Sequence, residues 1–141
     1  MTLPDYAPTV PSFTTPHRVR FHELDPYDHV NHAMYVTYFE IGRVDALDSV
    51  DLGLDKLKRD GLQFVVTKLD VRFRSAATAG DDLEILTQVA EFGRASTVWG
   101  QQILRVGERV ATANVTIGIT DRTGKPIRPP AYIFERLQGL A

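Results

Sequence analysis

The sequence predicts an α+β fold, with one long helix packed on an antiparallel sheet. Three observations carry that expectation. Residues 32–50 are periodic in the helical sense, with Tyr35, Tyr38, Phe39, Gly42 and Ala46 on one stripe and Met34 and Ile41 widening it. After residue 62 come four long alternating segments, joined by links shorter than the dozen or so residues a parallel return requires. No glycine-rich phosphate loop is present, which argues against a nucleotide-binding parallel sheet. One amphipathic helix covers only one face of such a sheet, so the sheet is expected to curl around the broad aromatic stripe.

The elements follow in order. Four of the eight prolines, Pro4, Pro8, Pro11 and Pro16, fall in the first 16 residues, which reads as an irregular tail (1–16) before a single domain (17–141). RVRF (18–21) is a short strand candidate. Pro26 forces an extended or turned approach to the helix, and Asn31 is a suitable N-cap. Gly42 weakens a helix but lets another chain segment come close to its stripe. The connector LGLDKLKRDGL (52–62) stops at Gly61. QFVVTKLDVRFRS (63–75) alternates, with Val65, Leu69, Val71 and Phe73 on one face and Lys68, Asp70, Arg72 and Arg74 on the other. Strands at 81–92 and 95–106 flank the Gly93-Arg94 turn. The last strand places Ala111, Ala113, Val115, Ile117 and Ile119 inward, and Thr112, Asn114, Thr116 and Thr120 outward. DRTGKP (121–126) is a turn, and AYIFERLQ a short closing helix.

Bulk properties narrow the function classes. With 141 residues and 43% hydrophobic side chains, the chain can bury a core without staples. It has no cysteine, which excludes disulfides, thiolate metal sites and a Cys nucleophile. A net charge of −2 argues against non-specific binding to nucleic acid. No apolar run approaches the roughly 20 residues of a spanning helix, and the N-terminus lacks signal-peptide character. A cytoplasmic protein with neither nucleic acid nor membrane as partner is expected.

The chemistry concentrates in LDPYDHVNHAMY (24–35), where Asp25, Asp28, His29 and His32 precede or open the helix. A metal site has suitable ligand types here, but every ligand would come from one short loop with no second cluster elsewhere. Solvation and capping form a second explanation, and for Asp28, with Asn31, a helix-capping role is the simpler one. The third is catalysis. A helix N-terminus offers unpaired N–H groups and partial positive charge to an oxygen that becomes negative during reaction. A carboxylate beside it, Asp25, can attack a carbonyl or activate water, with His32 close to the same point.

VRFHELDPYDHVNHAMYVTYFEIGR (19–43) resembles the signature of hotdog-fold thioesterases of the 4-hydroxybenzoyl-CoA thioesterase-like group. The matching residues are Glu23, Asp25, His29-Val30-Asn31, Tyr35, Tyr38-Phe39-Glu40 and Arg43. The likeness continues through VRFRSAATAGDDLEI (71–85), GRAS (93–96) and DRTGKPIRPP. It implies a five-stranded antiparallel sheet wrapped around one helix, assembled as a homodimer or homotetramer. It also implies hydrolysis of acyl-CoA, with acyl carrier protein as an alternative carrier, and no cofactor beyond the CoA moiety of the substrate. Asp25 then stands at the catalytic aspartate, His32 at an assisting position and Tyr35 at a site-lining aromatic. Three positions depart from the pattern: Glu23 stands where aspartate is frequent, Asp28 where glycine is, and His32 where asparagine is.

Further expectations attach to this resemblance. Asn31 helps form the site. Arg72, Arg74, Arg94 and Lys68 are candidate contacts for the CoA phosphates, and Ser96 for the pantetheine amides. Tyr35, Phe39, Phe64 and Leu54 are candidates for the acyl pocket. Glu40 lies about 12 Å along the helix from His32, too far to share one carbonyl, and pairs with Arg43 instead. The rival functions are an acyl-thioester binding protein without turnover, a hydroxyacyl-thioester dehydratase and a structural oligomer.

Overall fold

The computed structural model describes residues 13–141. The elements are β1 (Phe13–Arg18), α1 (His32–Ser49), α2 (Leu54–Arg59), β2 (Gln63–Phe73), β3 (Asp82–Phe92), β4 (Ser96–Arg105), β5 (Glu108–Thr120) and α3 (Ala131–Leu137). The strands form one antiparallel sheet in the order β1-β3-β4-β5-β2. α1 packs across its inner face, so the α+β architecture expected from the residue pattern is the one observed.

The first strand differs from expectation. β1 begins at Phe13, within the segment expected to be irregular, and ends where RVRF was expected to start. Residues 1–12 of that tail lie outside the described residues. Pro16 does not prevent strand formation because β1 is an edge strand, and an edge residue can dispense with its N–H. Beyond Arg18 the chain turns into one 3-10 turn at Phe21–Glu23, because the Glu23 carboxylate captures the Arg20 N–H at 2.7 Å.

α1 is capped by Asn31, whose Oδ1 accepts from Ala33 N at 2.9 Å. Tyr35, Tyr38, Phe39, Gly42 and Ala46 are all buried, as the stripe required, while Ile41 is exposed. Arg43 takes a place on the buried side that the sequence offered to no charge. Gly42 lies over the sheet so closely that an added Cβ would meet Ile85 Cγ2 at 2.7 Å and Thr87 Oγ1 at 2.9 Å. α2 ends before Gly61, which adopts a φ of 73°.

Two features of the sheet depart from simple alternation. A register shift between Val66 and Lys68 inserts one residue into β2. Phe64 and Val66 therefore share the inner face with Ile119 and Ile117, and Val65, expected inside, lies on the outer side. On β5 the inward residues Ala111, Ala113, Val115, Ile117 and Ile119 are buried as expected. Thr112, Asn114 and Thr120, expected outward, are buried too. Short side chains on a central strand are covered by longer neighbours on both sides, so facing away from the helix does not expose them.

Candidate active site

The loop before α1 is a tight hairpin. Leu24 bridges Val30, Asp25 N donates to His29 O at 2.6 Å, and Asp28 N donates to Asp25 O at 3.1 Å. The Asp25 Oδ1 closes the turn from within, accepting from Tyr27 N at 2.9 Å and His29 N at 3.1 Å. That geometry requires Asp28 at a φ of 62°, a left-handed conformation that aspartate tolerates better than most residues. Asp28 is therefore a turn residue and not the helix cap. Its carbonyl accepts from Thr78 Oγ1 at 2.9 Å.

The hairpin is anchored on both sides. Asn31 N donates to Glu23 O and Val30 N to Ala77 O, at 2.9 and 2.8 Å. The Glu23 carboxylate is 5% exposed and also meets His17 Nε2 at 3.1 Å. Burial pushes its pKa up, but the Arg20 N–H and His17 outweigh that and hold it below the usual carboxylate range. The 77–78 turn is thus a brace for the site that sequence reasoning missed as a partner. The small-residue stretch SAATAG was its only visible trace.

At the helix tip, Asn31 Oδ1 takes the Ala33 N–H and Asn31 O takes that of Met34. The His32 N–H meets no acceptor among the described contacts. The His32 side chain is exposed and lies edge-on to Phe73, with ring centroids 6.5 Å apart. Tyr35 is 4% exposed, packs on Phe73 and Tyr38, and its hydroxyl accepts from Ala77 N at 3.2 Å. Burial is the largest influence on its phenol pKa and raises it, and the Asp25 charge acts in the same direction. Tyr35 therefore braces the 77–78 turn as well as presenting its ring.

The expected cationic contacts divide. Arg72 and Arg74 stand at the Asp25 end of the sheet, because β2 leads directly into the 77–78 turn. Phe73 faces α1, so strand alternation sends its two arginine neighbours to the outer face. There Arg74 Nη2 donates to Thr112 Oγ1 at 3.4 Å. Lys68 is exposed farther along the strand. Arg94 lies in the β3–β4 turn and Ser96 opens β4, at the other end of an 11-residue strand and roughly 30 Å from the hairpin. Within one chain they do not join Asp25. Of the acyl-pocket candidates, Phe39 is buried core, while Phe64 and Leu54 line a slot beside α1. Glu40 is exposed and makes no ion pair with Arg43 among the described contacts, although its charge acts on it. Arg43 Nη1 instead donates to Gln101 Oε1 at 2.9 Å.

An antiparallel sheet curled on one helix, with a carboxylate hairpin at the helix N-terminus, defines the hotdog class of acyl-thioester proteins. The pattern of the thioesterase-like superfamily matches residues 19–137. The chain is 30% identical over 126 residues to the long-chain acyl-CoA thioesterase FadM of Escherichia coli, an alignment covering 87% of this chain and 95% of that one. The crystal structure of the hypothetical protein TT1821 from Thermus thermophilus superposes with a TM-score of 0.86 at 27% identity, covering 92% and 99% of the two chains. A thioesterase from the same organism, solved with coenzyme A and Zn, superposes at 0.82 with 25% identity, covering 94% and 96%. The chain belongs to the thioesterase-like superfamily and is an enzyme of its hotdog-fold thioesterase class. Among the described residues no three His, Asp or Glu side chains group as metal ligands, and no helix is long and apolar enough to cross a membrane.

Proposed function

We propose that this protein hydrolyses acyl-CoA thioesters to free acid and CoA in the cytoplasm, with Asp25 as nucleophile or general base. The observation that carries the reading is the Asp25 carboxylate, pinned by two backbone N–H groups in the hairpin that leads straight into a helix tip whose first N–H is free. The thioester oxygen sits at that tip and gains negative charge as the carbonyl is attacked, where the His32 N–H and the helix dipole stabilise it. Asp25 either takes a proton from the attacking water or itself forms the new C–O bond, giving an anhydride that water then opens. In both routes the C–S bond breaks and the thiolate leaves without needing a strong acid. His32 sits at the rim of this point, and Tyr35 and Asn31 fix its geometry.

Acyl carrier protein is the alternative carrier of the same thioester. Arg72 and Arg74 are offered to the CoA phosphates around the end of the sheet. Arg94 and Ser96 contribute only if a second copy brings its β3–β4 turn to this tip. A homodimer is supported by β2, an 11-residue edge strand whose outer backbone groups pair with no further strand among the described residues, the kind of edge that natural proteins cover.

The test is thiol release over a panel of short, long and aromatic acyl-CoAs, with Asp25→Asn beside the wild type. Asparagine keeps the Oδ1 that closes the hairpin, so fold and ligand binding should persist while turnover drops by about 10²–10⁴. Near-normal turnover in that variant would end the assignment of Asp25. Binding of the whole panel without thiol release would favour a binding protein.

A further inference from the structure

The side of α1 that faces β2 carries residues the chemistry above leaves unused. Val36, Glu40, Arg43 and Leu47 share that side, in line with His32 at the tip, by helical periodicity. β2 runs beside them in the opposite direction. Its Phe73 lies against His32 and Tyr35, and its Phe64 and Val66 against the Glu40–Leu47 stretch. Between these points Val36, Leu69 and Val66 are 37%, 39% and 45% exposed, an apolar seam leading from the helix tip. The seam arrives at a slot of about 120 Å3 whose lining includes Glu40, Arg43, Leu54, Phe64, Trp99 and Ile117.

Arg43 is the anomaly. It is 8% exposed, yet among the described residues one of its five N–H donors is taken, by Gln101 Oε1 at 2.9 Å. Burial pushes its pKa down, and the charge of Glu40 works the other way without reaching ion-pair contact. A buried cation with donors to spare is costly unless something fills them, and a guanidinium fork matches a carboxylate in two bonds.

We propose that this slot binds the carboxylate end of a carbon chain, with Arg43 as the residue that recognises it. Arg43 follows His32 by eleven positions, about 16 Å along the helix, which an extended chain on the order of a dozen carbons spans. Two sources present that chemistry. One is the far carboxylate of a dicarboxylic acyl thioester whose carbonyl lies at the α1 tip, which rests on the hydrolysis proposed above. The other is a free fatty acid, which does not.

Trp99 is the protein's only tryptophan and lines the slot, so its fluorescence reports occupancy without any turnover. Dodecanedioate and dodecanoate should change its emission saturably, and dodecanol about tenfold more weakly. Arg43→Gln should erase that difference. Leu54→Phe, at an exposed position of the mouth, should weaken both acids with Arg43 intact, which covers the case in which the Arg43 variant fails to fold. In thiol release, if the substrate is the source, the ω-carboxylated dodecanoyl-CoA should exceed dodecanoyl-CoA about tenfold in kcat/KM, and Arg43→Gln should equalise them. If free acid is the source, the two thioesters should be cleaved alike, and dodecanoate should inhibit the wild type but not the variant. Equal effects of acid and alcohol on Trp99, or acid binding unchanged in Leu54→Phe, would overturn the proposal. Should no thioester be cleaved at all, the hydrolysis fails while the Trp99 titration still decides the slot.

Discussion

Replacing Gln101 by methionine isolates a polar knot beneath α1. Gln101 is fully buried and makes three hydrogen bonds: it accepts from Arg43 Nη1 at 2.9 Å and donates to Phe39 O at 2.9 Å and Thr87 Oγ1 at 3.0 Å. Methionine fills nearly the same volume, so the cavity cost is small. The lost bond to a charged partner is worth about 1.5–3 kcal/mol and the two neutral ones about 0.5–1.5 kcal/mol each. Arg43 is too buried for water to replace the acceptor, and stranding a buried charge costs about 3–5 kcal/mol, which lies within that sum and is the loss expected. For a chain of this size that is a fall in Tm on the order of 10 °C. Urea and thermal unfolding of Gln101→Met, Arg43→Met and the double variant form a closed cycle. The double variant should be less than additive by at least about 1 kcal/mol, because an apolar pair removes the stranded charge. A Gln101→Met protein within about 1 kcal/mol of wild type, or strict additivity, would refute the reasoning.

Three other expectations rest on single contacts. Gly42→Ala should destabilise by about 1–2 kcal/mol in urea unfolding, since overpacking against Ile85 and Thr87 exceeds alanine's helix advantage of roughly 1 kcal/mol. At Asp28, glycine should be tolerated within about 0.5 kcal/mol, its ease at positive φ offsetting its unfolded-state entropy, while valine should lower both Tm and thiol release by straining the hairpin that aims Asp25. Asp81 is held below the usual carboxylate range by the Thr78 N–H and then by Arg105. Because its folded pKa is the lower one, its contribution is present above the unfolded value near pH 4 and is lost as pH falls through the folded value, so Asp81→Asn should flatten the acid limb of stability measured by urea unfolding from pH 5 to 2.

Local periodicity and local chemistry were enough for much of this fold. The α1 stripe, the Asn31 cap, the stop at Gly61 and the antiparallel strand run all depend on neighbours within a few positions, where residue type and spacing fix the backbone. The remainder depended on contacts between distant parts of the chain. The extra residue in β2 is invisible in QFVVTKLDVRF because both phases of alternation offer apolar side chains, and pairing with β5 selects one. Whether proline-bearing 13–16 is strand depends on β1 lying at an edge, which is a property of the sheet. Arg94 and Ser96 are carried to the far end from Asp25 by the length and direction of β3. Arg43 is buried against Gln101, 58 positions away, and not turned to its helix neighbour Glu40, because the sheet's inner face supplies an acceptor that no local pattern encodes.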